Sequence, residues 1–286
     1  MSYQIFTDSS CDFTAQKYAQ LGLTVLPLTV NFRGASYPDR NDDSLSDMYN
    51  GLRSGEIATT SAVNPEAWAE ALRPVAARGE DALVLAFSSG LSTTYQSAVI
   101  AAQEVGAEFP ERKLLVCDTL CASLGEGLLA WYACRKRDEG LSLEELYAWV
   151  EEQKYHLCHW FTVDDLMFLK RGGRVSAATA LLGTMLSIKP VLHVDDEGRL
   201  INVGKARGRK ASIAALAQKV EELAGDYDNS TMFISHGDCL EDAETLAQML
   251  KSRYGVKEVY INYVGAVIGA HSGPGTLALF FLGKHR

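Results

Sequence analysis

Ala82-Leu83-Val84-Leu85-Ala86-Phe87-Ser88-Ser89-Gly90-Leu91-Ser92-Thr93-Thr94 reads as a strand, a hydroxyl-rich loop and the first residue of a helix. A β-rich run from Ala82 to Phe87 followed by a helical pattern from Thr94 to Glu104 is half of a βαβ unit, and such units build parallel sheets. The same alternation extends outward on both sides. Strands are expected at Tyr3 to Thr7, Leu23 to Asn31 and Lys113 to Cys117. Helices are expected at Thr14 to Leu21, Leu45 to Arg53, Glu66 to Arg78 and Ser123 to Arg137, several opened by capping residues. This is a doubly wound layout.

Beyond an acidic helix from Leu143 to Glu152 the pattern changes. Pro190 to Val194 and Arg199 to Val203 flank Asp195-Asp196-Glu197-Gly198 as a hairpin, so antiparallel pairing begins here. A helix from Lys210 to Leu223, a strand from Thr231 to Ser235, a helix from Leu240 to Arg253 and strands at Glu258 to Tyr263 and Leu277 to Leu282 follow. The expected fold is α/β, with an N-terminal doubly wound, mainly parallel domain over residues 1–158 and a C-terminal α+β domain over residues 159–286.

The chain has 286 residues, 47% of them hydrophobic, enough for two moderate cores. A net charge of −9 and a pI near 5.2 argue against a sequence-independent nucleic-acid binder, which needs a basic face. The N-terminal residues lack the charged and apolar regions of a signal peptide, and no apolar run approaches a membrane span, so a cytoplasmic protein with no membrane insertion is expected. The cysteines at 11, 117, 121, 134, 158 and 239 form no CxxC pair; neither a disulfide framework nor a metal site is expected, because structural zinc requires four convergent ligands.

In an open parallel sheet, ligands bind beyond the carboxyl ends of the strands. Three loops at such positions are rich in hydroxyls or acids: Asp8-Ser9-Ser10, Ser88 to Thr94, and Asp118-Thr119, with Thr59-Thr60-Ser61 preceding a helix. Hydroxyls and free N–H groups at helix N-termini suit a carboxylate or phosphate, although Ser61, Asn64, Ser92 and Thr93 taken singly also read as helix caps. Near the C-terminus, Tyr263 to Thr276 surrounds His271 with small residues, and its glycines let a polar group approach the main chain. This stretch reads as a binding loop or as a turn before the last strand.

Enzyme motifs fare less well. Gly90-Leu91-Ser92-Thr93-Thr94 has Thr94 where a nucleophile elbow has its second glycine, and no Asp and His partners follow in order. Gly273 to Ala278 satisfies GxGxxA, yet a strand follows instead of a helix. There is no P-loop and no HExxH. Asp164 and Asp165 read as caps of a short helix that ends at Gly172-Gly173 and projects Arg174 from a turn. Lys205, Arg207, Arg209 and Lys210 form a basic run that reads as a solvated face or a docking patch, and His236 as a structural histidine.

Asp8-Ser9-Ser10-Cys11-Asp12, Thr60-Ser61, Ser88 through Ala98, Asp165-Leu166 through Gly172-Gly173-Arg174, and Gly265 through Gly275 occur in this order along the full chain. In these motifs the sequence resembles the DegV family. The resemblance implies a fatty-acid-binding protein whose two domains hold the acyl chain in an apolar tunnel between them. It further implies no cofactor and no catalysis by this chain: a separate ATP-dependent kinase docks and phosphorylates the bound carboxylate, feeding phospholipid synthesis. The implied carboxylate ligands are Thr60, Ser61, Ser92, Thr93 and His271, with Ser9 and Arg174 as contributors. Palmitate is a representative ligand. A carboxylate in an apolar site must be paired with donors, which these side chains supply. Thr93 stands where members of the family commonly have glycine, so either an added donor or an altered ligand is expected. Two other readings are an enzyme acting on a small anion through Ser92 or His271, and a lipid sensor without a kinase.

Overall fold

The computed structural model describes residues 3–39, 45–175 and 187–286. Strands Leu23–Leu26, Tyr3–Asp8, Asp81–Ala86 and Leu114–Asp118 form, in that spatial order, a sheet in which every pairing is parallel. Asp81–Ala86 is buried at every position because helices cover both faces. Pro65–Ala77 and Thr94–Glu108 pack on one side, while Leu124–Asp138 and Leu143–Gln153 lie on the other. A second, mixed sheet of six strands runs from Leu200–Arg207 at one edge through Ile188–Val194, Leu157–Thr162, Leu277–Leu282 and Thr231–His236 to Glu258–Tyr263.

Local chemistry explains most element ends. Asn64 caps Pro65–Ala77 by accepting from the Ala67 N–H, with Pro65 in the first turn where its missing donor costs nothing. Ser142 and Glu145 close a reciprocal capping box. Asp165 accepts from the Met167 N–H and starts Leu166–Arg171.

Two expectations are corrected. Leu23 to Asn31 is not one strand: Leu23–Leu26 joins the parallel sheet and Thr29–Phe32 joins a separate three-stranded antiparallel sheet with Ala35–Pro38 and Thr59–Ser61. Pro27 sits at the break, where it has no N–H for a ladder. The stretch around His271 is a helix, Ala266–Ser272, and not a loop. Leu157–Thr162 is an additional strand, buried throughout, whose lack of polar alternation hid it.

Leu124–Asp138 lies between the two large sheets, sharing a core with Leu83 and Leu85 of the first and with Phe233 and Phe280 of the second. The hairpin turn of the second sheet seats on the loop after Asp81–Ala86, where Ser88 Oγ donates to the Gly198 carbonyl at 2.8 Å. A Cβ on Gly90 would lie 2.7 Å from the Glu197 carbonyl oxygen, so a glycine is needed there for the two domains to approach. Among the described residues no helix is long and apolar enough to cross a membrane.

Candidate functional site

Where the parallel sheet's carboxyl edge meets the second sheet, a cavity of about 490 Å³ opens, within the range of small-molecule pockets. Leu28, Phe87, Leu91, Phe161, Val267 and Phe280 are among its apolar walls. The second sheet and the loops that follow the parallel strands contribute, as do helix Ala266–Ser272 and the antiparallel strand Thr59–Ser61.

One end of this cavity is polar. Thr60, Ser92, Thr93, Arg174 and His271 all line it. His271 Nε2 and Thr60 Oγ1 are hydrogen-bonded at 2.7 Å across 211 positions of sequence. Burial, aided by the neighbouring Arg174 guanidinium, pushes the His271 imidazole down to about 4, so it is neutral at pH 7. Arg174 is half-buried; its Nε donates to the Leu91 carbonyl at 3.3 Å and its Nη1 to the Gly172 carbonyl. Among the described residues no ion pair engages Arg174, and burial lowers its pKa. It supplies the fixed positive charge of the site. Ser92 Oγ and Thr94 Oγ1 share a hydrogen bond of 2.8 Å at the start of Thr94–Glu108, whose dipole points its positive end at the same place. Thr93 is exposed and makes no capping bond, so its hydroxyl is available at the mouth.

Thr60, Arg174 and His271 also line a smaller outer cleft of about 250 Å³, together with Ile57, Phe168 and Arg171. The polar end is therefore a partition between the inner cavity and the surface.

Two sequence candidates are elsewhere. Ser61 is exposed and does not line the cavity, because alternate residues of Thr59–Ser61 face opposite ways and Thr60 takes the inward place. Ser9 is consumed by structure: its Oγ donates to Asp39 Oδ2 at 2.8 Å and accepts from the Leu28 N–H at 3.0 Å. The surrounding Asp8 to Asp12 turn belongs to a buried acid cluster that sequence reasoning missed. Asp8 accepts from the N–H groups of Ser10 and Phe87, and Glu126 accepts from Ser10 Oγ at 2.7 Å and Thr7 Oγ1 at 3.0 Å. Burial pushes Asp8 and Asp39 up to about 6 and raises Asp12 and Glu126 well above the usual carboxylate range. No periodicity or spacing marks these four as neighbours. The apolar lining was missed for a related reason, since wall residues look like any core residue. Among the described residues no group of His, Cys, Asp or Glu is placed to hold a metal ion.

Residues 2–284 match the family model described as an uncharacterised protein family, DegV. A DegV domain-containing protein of Clostridium perfringens is 46% identical, the alignment covering 98% of this chain and 97% of the relative. Among solved structures, a DegV family protein from Thermus thermophilus described as binding fatty acid superposes with a TM-score of 0.88 at 33% identity, covering 99% of this chain and 100% of its own. A protein from Thermotoga maritima whose structure is described as revealing a fatty acid binding function gives 0.84 at 30% identity, covering 99% of both chains.

Proposed function

This chain belongs to the DegV family, and from that premise we propose that it binds a long-chain fatty acid between its two domains, carboxylate at the polar end and tail in the cavity, without catalysing a reaction itself. The observation that carries this reading is a largely apolar cavity whose lining also includes Thr60, Ser92, Thr93, His271 and Arg174. Such a cavity pairs a carboxylate with hydroxyl, imidazole and guanidinium donors while removing an alkyl tail from water. Each buried methylene adds about 0.8 kcal/mol, so a sixteen-carbon tail provides ample affinity for retention through purification. A small anion would leave most of these walls unfilled.

The bound carboxylate is presented to an ATP-dependent kinase in the cytoplasm, which converts it to an acyl-phosphate for phospholipid synthesis. Supporting this step, Thr60, Arg174 and His271 are shared with the outer cleft, so a phosphoryl group has a route to the carboxylate that does not pass through the tail cavity. Ile57 at that cleft is 58% exposed, an apolar contact for a docked partner.

Native and denaturing mass spectrometry of the purified protein test the binding step. A stoichiometric fatty acid released on denaturation is expected. An empty protein that also fails to take up palmitate or oleate overturns the reading. Addition of a fatty acid kinase and ATP to the loaded protein tests presentation, with ADP release dependent on both proteins as the expected result.

A further inference from the structure

His271 sits on a helix that its own segment does not cap. Ala266–Ser272 begins at Gly265, which has no side chain to accept from the first N–H groups. The first domain supplies acceptors instead. Asp39 Oδ1 accepts from the Val267 N–H at 3.3 Å across 228 positions of sequence, with the Ala266 N–H beside it, and the Gly265 N–H bonds to the Asp12 carboxyl. A Cβ on Gly265 would collide with Asp12 Oδ1, so glycine is needed for that carboxyl to come so close. Just ahead of the helix, Tyr49 Oη donates to the Val264 carbonyl at 2.7 Å.

Asp39 is held firmly from its own domain. It is buried, its N–H donates to the Leu28 carbonyl at 2.7 Å, and its Oδ2 accepts from Ser9 Oγ at 2.8 Å. That same hydroxyl accepts from the Leu28 N–H at 3.0 Å. Val267 and His271 are four positions apart, one turn and about 6 Å along the axis, so they share a helix face, and both line the cavity. A carboxylate one turn below the imidazole also suits the positive end of the helix. Without it the first turn is released, and a seven-residue helix has too few internal bonds to keep its last turn in place alone. The His271–Thr60 bond of 2.7 Å depends on that last turn.

Resting on the fatty-acid reading above, we propose that Asp39 is a positioning residue of the ligand site: it does not line the cavity, and it places the His271 imidazole by holding the other end of helix Ala266–Ser272. Ser9 serves the site through Asp39 and not by touching the ligand carboxylate.

The test is calorimetric titration of delipidated protein with palmitate at pH 8, where Asp39, pushed up to about 6 by burial, is ionised. It is run on the wild type, Asp39→Ala, Asp39→Asn, His271→Ala and the double variant Asp39→Ala/His271→Ala. Thermal unfolding is recorded for each, and NMR signals of the His271 ring for each form that retains it. Asp39→Ala is expected to weaken binding about tenfold and to shift the His271 signals, whereas Asp39→Asn, which keeps an acceptor for the Val267 N–H, stays within about threefold and near the wild-type signals. In the His271→Ala background the Asp39→Ala loss should shrink to within about threefold, because both substitutions act through one imidazole. Asp39→Ala binding within about twofold of wild type, a loss of equal size with and without His271, or unmoved His271 signals would each overturn the proposal, whatever the change in thermal stability. Should Asp39→Ala not fold, Asp39→Glu, one carbon longer, carries the same expectation of weakened binding and displaced signals. If palmitate does not bind the wild type, the fatty-acid reading falls, and the His271 signals by themselves decide the positioning role.

Discussion

Gly172 is the backbone against which His271 rests, and substituting alanine there tests whether the imidazole position matters for ligand binding. Gly172 has φ −71° and ψ −10°, ordinary helical values that alanine adopts without strain, so the substitution acts through its methyl group alone. That Cβ would lie 2.3 Å from His271 Nδ1, 3.1 Å from Cγ and 3.3 Å from Cε1. Carbon and nitrogen atoms settle at about 3.5 Å or more, so the ring must retreat by about 1 Å. The Thr60 bond, 2.7 Å now and made by the other ring nitrogen, cannot keep both its length and its angle through a shift of that size. A bond to a charged ligand group contributes about 1.5–3 kcal/mol, which converts to a loss of ~10- to 150-fold in affinity. The assay is calorimetric titration of delipidated protein with palmitate, for Gly172→Ala, His271→Ala and the double variant. Each single variant should lose at least about tenfold, and the double variant no more than the weaker single, because both remove the same interaction. Gly172→Ala binding within twofold of wild type, or losses that multiply in the double variant, would refute the reasoning.

Further outcomes follow from the same geometry. The His271 imidazole should show no titration between pH 6 and 8 by NMR in the empty protein, since burial and Arg174 hold it at about 4; a bound carboxylate should raise it, so that binding takes up protons and affinity rises as the pH falls toward the new value. Thr93→Gly removes a hydroxyl from the cavity mouth, and either affinity for palmitate drops several-fold or the spectrum of lipids retained on purification changes; an unchanged spectrum and affinity count against both roles for Thr93. Ala278 lines the cavity from a central strand and is 6% exposed, so Ala278→Leu should shift the retained lipid to shorter chains by mass spectrometry. Asp39 is raised from 3.8 to about 6 by burial, so the native state holds the proton more tightly; its contribution to stability is complete below about 4 and is lost as the pH rises through 6. Asp39→Asn should therefore flatten the decline in denaturant-measured stability between pH 4 and 7 by up to ~3 kcal/mol. An unaltered slope would show that this carboxyl is ionised throughout.

The residues that proved readable share one property: their roles are set by near neighbours. Thr94–Glu108, Arg209–Leu223 and Glu258–Tyr263 follow from hydrophobic periodicity, and the hairpin around Asp195 to Gly198 from its turn chemistry. Asn64 and Asp165 cap helices because the groups they satisfy are two or three positions away. Thr60, Ser92, Thr93, Arg174 and His271 were legible as a set only through their ordered motifs, since the nearest two are adjacent and the farthest are 211 positions apart.

The hydroxyls show where local reading ends. Ser9, Ser61, Ser88, Ser92, Ser235 and Ser272 are the same residue type in comparable polar or small-residue surroundings. Yet Ser9 binds Asp39, Ser88 ties the two domains through Gly198, and Ser61 faces solvent. Of these six, Ser92, Ser235 and Ser272 belong to segments that line the cavity. By itself the chain determines its alternating elements, their caps, its acidic balance and its family, all of which depend on periodicity, composition or ordered motifs. Tertiary structure alone decides which hydroxyls meet ligand, which acids are buried together and where the cavity closes. Those outcomes depend on which distant segment arrives opposite a side chain, and the energy of a buried polar group is set by that arriving partner and not by its neighbours along the chain.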